Sequence, residues 1–397
     1  MPVRRLWLTD FRNHQTVDLT FGEGLTAIVG NNGQGKTNIL EGLAWLSLAG
    51  SFRGASTETL VRNGESQAIV RAEVISGTRT VLLEAELSLT GRNKILVNSN
   101  PVKRARDLLG YLRTTVFAPD DLRLIKGSPG ERREYLDHLL ISLHPRNYEL
   151  HTALDKVLRQ RNTLLKQAKG RNTPDVLSTL DVWDAKLVET GEALVDARRL
   201  LVEQLQDPVF KILVGLQGEG ATGTLQYQSV WADQGLAAAL EESRSDDLRR
   251  GVTTVGPHRD DLVITLSGMP ARIQASQGEQ RSLALALRLG GHQVVADAVG
   301  VHPIILLDDV FSELDETRSA GLVALLPQCQ TLVTSAGQLP KGVTTSQVVH
   351  LVEGKIQSGY NAEEFRRRYG KAWNALWLIW VHQKSMPPQR SSRRGQN

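Results

Sequence analysis

The chain has 397 residues, 41% of them hydrophobic and 23% charged, which is the balance of a globular protein rather than of a disordered or fibrous one. No apolar run approaches the roughly 20 residues of a bilayer-spanning helix, and residues 1–10 lack a signal-peptide pattern. The single cysteine, Cys329, excludes an internal disulfide and fits a reducing compartment, so a cytoplasmic protein without a membrane partner is expected.

Charge is unevenly placed. Residues 361–397, with eight Lys/Arg against Glu363 and Glu364, hold +6 of a net +4, which leaves −2 on residues 1–360. Overall basicity therefore does not argue for a nucleic-acid partner; local clusters must carry that case.

In chain order, residues 3–8, 16–21 and 25–29 read as strands, the last largely apolar. A glycine-rich turn leads into a helix over 36–48, with Ile39, Leu43 and Leu46 on one face and Leu40 at its edge. Strands follow at 68–75, 81–89 and 94–97. Residues 146–169 and 177–205 read as two antiparallel helices, with Leu180, Leu187, Leu194 and Leu201 at seven-residue spacing and a breaker at 170–174. After Gly251 the α/β pattern returns, with strands at 262–266, 303–307 and 331–334 and a helix over 279–298. The expected architecture is one α/β lobe, residues 1–140 and 251–357, interrupted by a short helical arm, 141–250. A basic, Trp-rich tail follows at 358–397.

Three motifs carry chemistry. Gly30-Asn31-Asn32-Gly33-Gln34-Gly35-Lys36-Thr37, followed by Asn38, matches a phosphate-binding loop between an apolar strand and a helix. Backbone N–H groups would face phosphates there, Lys36 would reach β- and γ-oxygens, and Thr37 would ligate Mg²⁺. The apolar run 304–307 then delivers Asp308 and Asp309 to the carboxyl edge of a sheet, where Asp308 suits the metal and Asp309 the attacking water. Finally, Ser276-Gln277-Gly278-Glu279-Gln280 opens a helix, a place for a γ-phosphate as well as an ordinary cap.

With these motifs in this order the chain resembles the ABC ATPases of the SMC group, whose heads combine antiparallel and parallel sheet. The resemblance implies ATP and Mg²⁺ as ligands. It also implies that Ser276, Gly278 and Gln280 of one copy close on ATP held by another, and that Ser312-Glu313-Leu314-Asp315 forms a loop at the dimer seam. Lys36, Ser276 and Asp309 are then the expected catalytic residues.

Further blocks resemble the RecF family: Asp10-Phe11-Arg12-Asn13, Ser51-Phe52-Arg53, Phe117-Ala118-Pro119-Asp120-Asp121-Leu122, Gly127-Ser128-Pro129, Arg132-Arg133, Gly256-Pro257-His258-Arg259-Asp260-Asp261-Leu262 and Asp308-Asp309-Val310. This resemblance spans about residues 1–357 and implies an ATP-dependent homodimer that clamps double-stranded DNA and gap junctions. RecR and RecO are the implied partners, in recombinational repair of gaps and stalled replication forks, RecA loading and SOS induction. Another SMC-like chromosome ATPase and an ABC transporter nucleotide-binding subunit are the competing readings.

Two departures from transporter-type sites imply slow turnover, with ATP as a dimerisation switch, and the family resemblance implies that DNA stimulates it. Aspartate stands at 309 where glutamate is usual. No glutamine occurs in 116–122, and Thr334 with Ser335 occupies the place of a switch histidine.

Weaker signals remain double-edged. Lys103, Arg104, Arg106, Arg113, Arg123, Lys126, Arg132 and Arg133, and then Lys156, Arg159, Arg161, Lys166, Lys169 and Arg171, form clusters fit for DNA phosphates or for a solvated face. Arg12 and Arg53 are candidates for phosphate contacts or for ion pairs. In the tail, Phe365, Tyr369, Trp373, Leu376, Trp377 and Trp380 share one helical face, suited to docking on the body, a partner or DNA.

Overall fold

The computed structural model describes residues 2–361 apart from 219, 338, 341 and 353; the aromatic helix expected in the tail lies outside the described residues. The first part of the chain runs β1 (Val3–Phe11), β2 (His14–Thr20), β3 (Leu25–Val29), α1 (Lys36–Leu48), α2 (Thr57–Leu60), β4 (Gln67–Ser76), β5 (Arg79–Ser88), β6 (Lys94–Val97), β7 (Asn100–Pro101), β8 (Thr114–Phe117), α3 (Arg123–Lys126) and α4 (Pro129–Leu143). The middle holds α5 (Tyr148–Ala168), α6 (Pro174–Gln217), β9 (Gly223–Gln228) and α7 (Leu236–Arg250). Then come β10 (Asp261–Leu266), β11 (Met269–Pro270), α8 (Ala271–Gln274), α9 (Gln277–Val299), β12 (Ile304–Asp308), α10 (Glu316–Leu325), β13 (Thr331–Ser335), β14 (Gln347–Val352) and β15 (Lys355–Asn361).

Two six-stranded sheets define the first lobe, ordered β2-β1-β4-β5-β6-β7 and β15-β14-β3-β13-β12-β8. The first is antiparallel throughout, and the second is parallel except for β15. Strand alternation makes the second sheet bury both faces. Ile28, Ile304, Leu306 and Leu332 join the core around α1, while Ala27, Ile305, Leu307 and Val333 face α9, α10 and the end of α6. Helix α1 lies between the two sheets, so Ile39, Leu40, Leu43 and Leu46 are all fully buried and the one-sided stripe read from the sequence becomes all-round burial. Gly42 permits this close approach, since a Cβ there would stand 2.6 Å from a Leu8 methyl.

Helix α4 has no counterpart in the sequence reading. Its start is nevertheless written in Ser128-Pro129-Gly130-Glu131, where Glu131 accepts from the Ser128 backbone N–H and hydroxyl and proline takes the first helical position.

The two middle helices are unequal, 21 and 44 residues long. Leu180, Leu187, Leu194 and Leu201 are at most 1% exposed, as their spacing requires. The second helix does not end near 205 but runs to Gln217, through Pro208. Beyond the proline it packs on α9, where a Cβ at Gly290 would stand 2.6 Å from Val209 Cγ2. One apolar core thus joins α4, α5, α6, α7, α9 and the small β11-β10-β9 sheet.

Candidate nucleotide site

Parallel register brings the chemistry to one edge. At the carboxyl ends of neighbouring strands, Val29 pairs with Ser335, Thr334 with Asp308, and Leu307 with Phe117. The loop 30–37 leaves β3 at this edge and α1 starts at its end, with Gly33 at φ 81° and Gly35 at φ 98°, a backbone that side chains resist. No side chain caps α1 and no acidic residue occupies its first turn, so its N–H groups and positive dipole end remain available to an anion. Asn31, Asn32 and Gly33 form the exposed tip, and Asn38 donates to Asn13 at 2.7 Å.

Lys36 is only 6% exposed, and its ammonium donates to the carbonyls of Gly30 at 2.7 Å and Asn31 at 3.0 Å. Burial pushes its pKa below the usual lysine value, opposed by Asp309 and Asp308. Both pulls suit a group that gains from a phosphate oxygen. The Thr37 hydroxyl donates to Asp308 Oδ1 at 2.7 Å, and Thr334 donates to the same oxygen at 2.8 Å. Burial pushes the Asp308 carboxyl above its usual range; Thr37, Thr334 and Arg53 oppose the shift. A buried carboxylate so placed gains from a cation. Among the described residues no cluster of three or more His, Cys, Asp or Glu could hold a metal, so a cation at Asp308 would complete its shell with Thr37 and phosphate oxygens, which fits magnesium.

Asp309 follows with φ 50°, a left-handed conformation that aspartate tolerates better than longer side chains. Its N–H donates to Thr334 Oγ1 at 2.9 Å. The threonine in the expected switch position is thus buried and committed to the two aspartates. Beside Thr37, Asp308 and Asp309 opens a cleft of ≈ 640 Å³ that also reaches Arg53, Asp120 and Arg288.

Ser276 and Gly278 do not line that cleft. Ser276 is exposed and caps α9, accepting from Glu279 N at 3.3 Å while Glu279 accepts from Ser276 N at 2.7 Å. Arg318 lies across Gly278, where a Cβ would meet its guanidinium, and the same arginine pairs with Asp315. Arg281 donates to the Glu313 carbonyl at 2.8 Å, so the start of α9 and the loop 312–315 form one continuous surface. Gln280 differs from expectation: it is 3% exposed and turned inward, its amide donating to the Ala271 carbonyl at 3.2 Å, because its helical position faces α8 rather than solvent.

Arg12 and Arg53 separate clearly. Arg12 grips the fully buried Glu41 with two hydrogen bonds, 2.8 and 2.7 Å, and is an internal ion pair. Arg53 is 45% exposed, reaches Glu41 only at 3.9 Å, and lines the cleft. The sequence reading missed His14. It is fully buried with its ring nitrogens 3.0 Å from the carbonyls of Gly35 and Gly354, and so ties the phosphate loop to the turn after β14. Nothing in the sequence links positions 14 and 354.

A glycine-rich loop on an uncapped helix, a threonine joined to a strand-end aspartate and a separate serine-capped helix define the class of SMC-type ATPase heads. The comparisons place the chain within that class. Residues 2–351 match the model of the RecF/RecN/SMC N-terminal domain. The DNA replication and repair protein RecF of Kineococcus radiotolerans is 42% identical, with 85% of this chain and 93% of that protein covered. That of Streptomyces avermitilis is 43% identical over 85% and 94%. A solved structure of the recombination mediator protein RecF with ATP, in the RecFOR pathway, superposes with TM-score 0.82 at 30% identity, covering 89% of this chain and 96% of that one. The Smc head domain of Pyrococcus furiosus shares the fold, with TM-score 0.55 at 17% identity. The chain belongs to the RecF family of DNA replication and repair proteins.

Proposed function

We propose that the chain binds ATP with Mg²⁺ on the loop 30–37 and uses it to close two copies on DNA. The observation that carries this is the Thr37–Asp308 contact at 2.7 Å beside an uncapped helix N-terminus, with Ser276 exposed at the start of a separate helix. Such a site is half complete. Lys36 would hold β- and γ-oxygens and Thr37 with Asp308 the magnesium, while Asp309 orients the attacking water. Bound magnesium supplies neutralisation of the phosphate charge that builds as the γ-phosphoryl leaves. Ser276 and Gly278 of the second copy would cover the γ-phosphate. The buried amide of Gln280 supports their position rather than touching nucleotide.

Hydrolysis is slow in this reading, because Asp309 is a methylene shorter than glutamate and Thr334 is tied to Asp308. ATP then acts as a timed clamp. RecR and RecO are the partners proposed from the family, at gaps and stalled forks, with RecA loading and SOS induction as the outcome. A cytoplasmic location accords with the absence, among the described residues, of any helix long and apolar enough to cross a membrane.

Light scattering with ATP, with and without duplex DNA, tests the in-trans site. The wild type is expected to double in mass with ATP, and Ser276→Arg to bind ATP yet stay monomeric. A wild type that remains monomeric at saturating ATP removes the in-trans reading.

A further inference from the structure

We propose that the solvent-facing stripe of α5 is a contact for the phosphate backbone of duplex DNA, made by Lys156, Arg159 and Lys166. The inference rests on the DNA reading above and names the surface that meets the DNA.

Residues 156–171 hold six Lys/Arg and no Asp or Glu. The structure divides these cations by what they touch. Arg161 is fully buried, donating to Asp184 at 2.6 Å, Asp247 at 2.7 Å and Thr253 at 2.9 Å, and it cannot meet a ligand. Arg171 donates to the Ala168 carbonyl at 3.1 Å, closing the helix end, and Lys169 is the left-handed cap just beyond α5 rather than part of its face. Lys156, Arg159 and Lys166 are exposed, and among the described residues no carboxylate stands within ion-pair distance of them.

Helical geometry makes the three a single stripe. At about 100° per residue, positions 156, 159 and 166 fall within about 80° of one another. The buried positions, Leu154, Val157, Leu158, Arg161, Leu165 and Ala168, centre on the opposite side. The stripe is therefore the face left over when α5 docks, about 15 Å long at 1.5 Å per residue. Over that length one DNA strand offers about four phosphates. At its far end the patch continues onto α7, since a Cβ at Gly251 would lie 3.5 Å from Lys166 Cγ, and the exposed Arg249 and Arg250 share the one carboxylate of Asp246.

The neighbouring exposed face of α6 mixes signs, with Asp181, Lys186, Glu189, Glu192 and Asp196. The cluster preceding the arm is also largely spent. Arg106 pairs with Glu149, Arg123 with Glu131 and Arg132 with Asp261; Arg113 donates to the Ser142 carbonyl and Arg133 to that of Asp260. In a body of net charge −2, a stripe of three unpaired cations along a rigid helix, flanked by the one carboxylate of Asp155 that faces His151, is complementary to a regular polyanion, and less so to a protein surface of mixed charge.

The test measures affinity of the full chain with ATP for a labelled duplex between 50 and 200 mM salt. It compares wild type with the triple variant Lys156→Ala/Arg159→Ala/Lys166→Ala. Three lost phosphate contacts are expected to flatten the slope of log K against log salt by about 2.7 and to weaken binding alike for unrelated sequences. ATP-dependent dimerisation of the triple variant should be unchanged, and the swap Lys156→Arg/Arg159→Lys/Lys166→Arg should restore the slope. A triple variant with the wild-type slope overturns the assignment while leaving the DNA reading intact. A wild type that does not bind duplex removes both.

Discussion

Thr37 Oγ1 donates to Asp308 Oδ1 at 2.7 Å across 271 positions of sequence. The same oxygen accepts from Thr334, whose hydroxyl also receives the Asp309 N–H. One buried threonine therefore holds the carboxylate of Asp308 and the backbone of Asp309. Thr334→Val keeps its shape in the core, and is expected to weaken magnesium affinity about 10- to 100-fold, the usual loss when an outer partner of a metal ligand is removed. Titrating ATPase activity with magnesium checks this; an unchanged midpoint would falsify the positioning role.

Asp309 sits at φ 50°. Asparagine tolerates that backbone, so Asp309→Asn should fold normally, lose hydrolysis and prolong the ATP-bound dimer. Wild-type turnover is expected to stay below about 10 s⁻¹, the median enzyme value. A fast wild-type enzyme, or an active Asp309→Asn, contradicts the assignment.

The two arginines near Glu41 should behave oppositely. Arg12→Ala leaves a fully buried carboxylate without its two-bond partner and should cost about 3 kcal/mol in urea unfolding. Arg53→Ala, exposed on the cleft, should change stability by about 0.5 kcal/mol or less but lower ATP turnover. Equal stability losses would show that Arg53 is also structural.

Within the arm, Arg161→Met removes the only cation among the described residues paired with the fully buried Asp247 and leaves Asp184 with Arg244 alone, and is expected to destabilise by about 3–5 kcal/mol. Lys156→Ala, five positions away, should shift stability by about 0.5 kcal/mol or less. Denaturant midpoints distinguish the buried cation from the exposed one.

The cap of α9 carries a pH signature. Hydrogen bonds from Ser276 hold the Glu279 carboxyl below its ordinary value of 4.5. Its stabilising contribution is full above that value and fades as pH falls through it toward the lower folded-state value. Ser276→Ala should cost about 1 kcal/mol at neutral pH, and that difference should shrink below pH 4.5. A pH-independent difference between melting curves would mean that the cap does not involve the charged glutamate.

The local motifs were legible in the sequence because each is a short-range device. An apolar run marked β3, the phosphate loop needed only adjacent glycines and a lysine, and the boundaries 25–29 and 36–48 coincide with β3 and α1. The strand ending in Asp308 and the cap at Ser276 were legible for the same reason, as were the heptad leucines of α6. The opening of α4 was equally local, though its cap was read only as part of a family block.

Side-chain partnership was decided only by the tertiary structure. Arg161 and Lys156 look alike in sequence, and packing alone made one a buried ion pair and the other a free surface charge. Gln280 turned inward because its helical position faces α8, and α6 ran through Pro208 because α9 and α10 cover the residues beyond it. His14 meets Gly354 across 340 positions. Such contacts depend on which elements become neighbours, and that is settled by burial over the whole chain rather than by any local pattern.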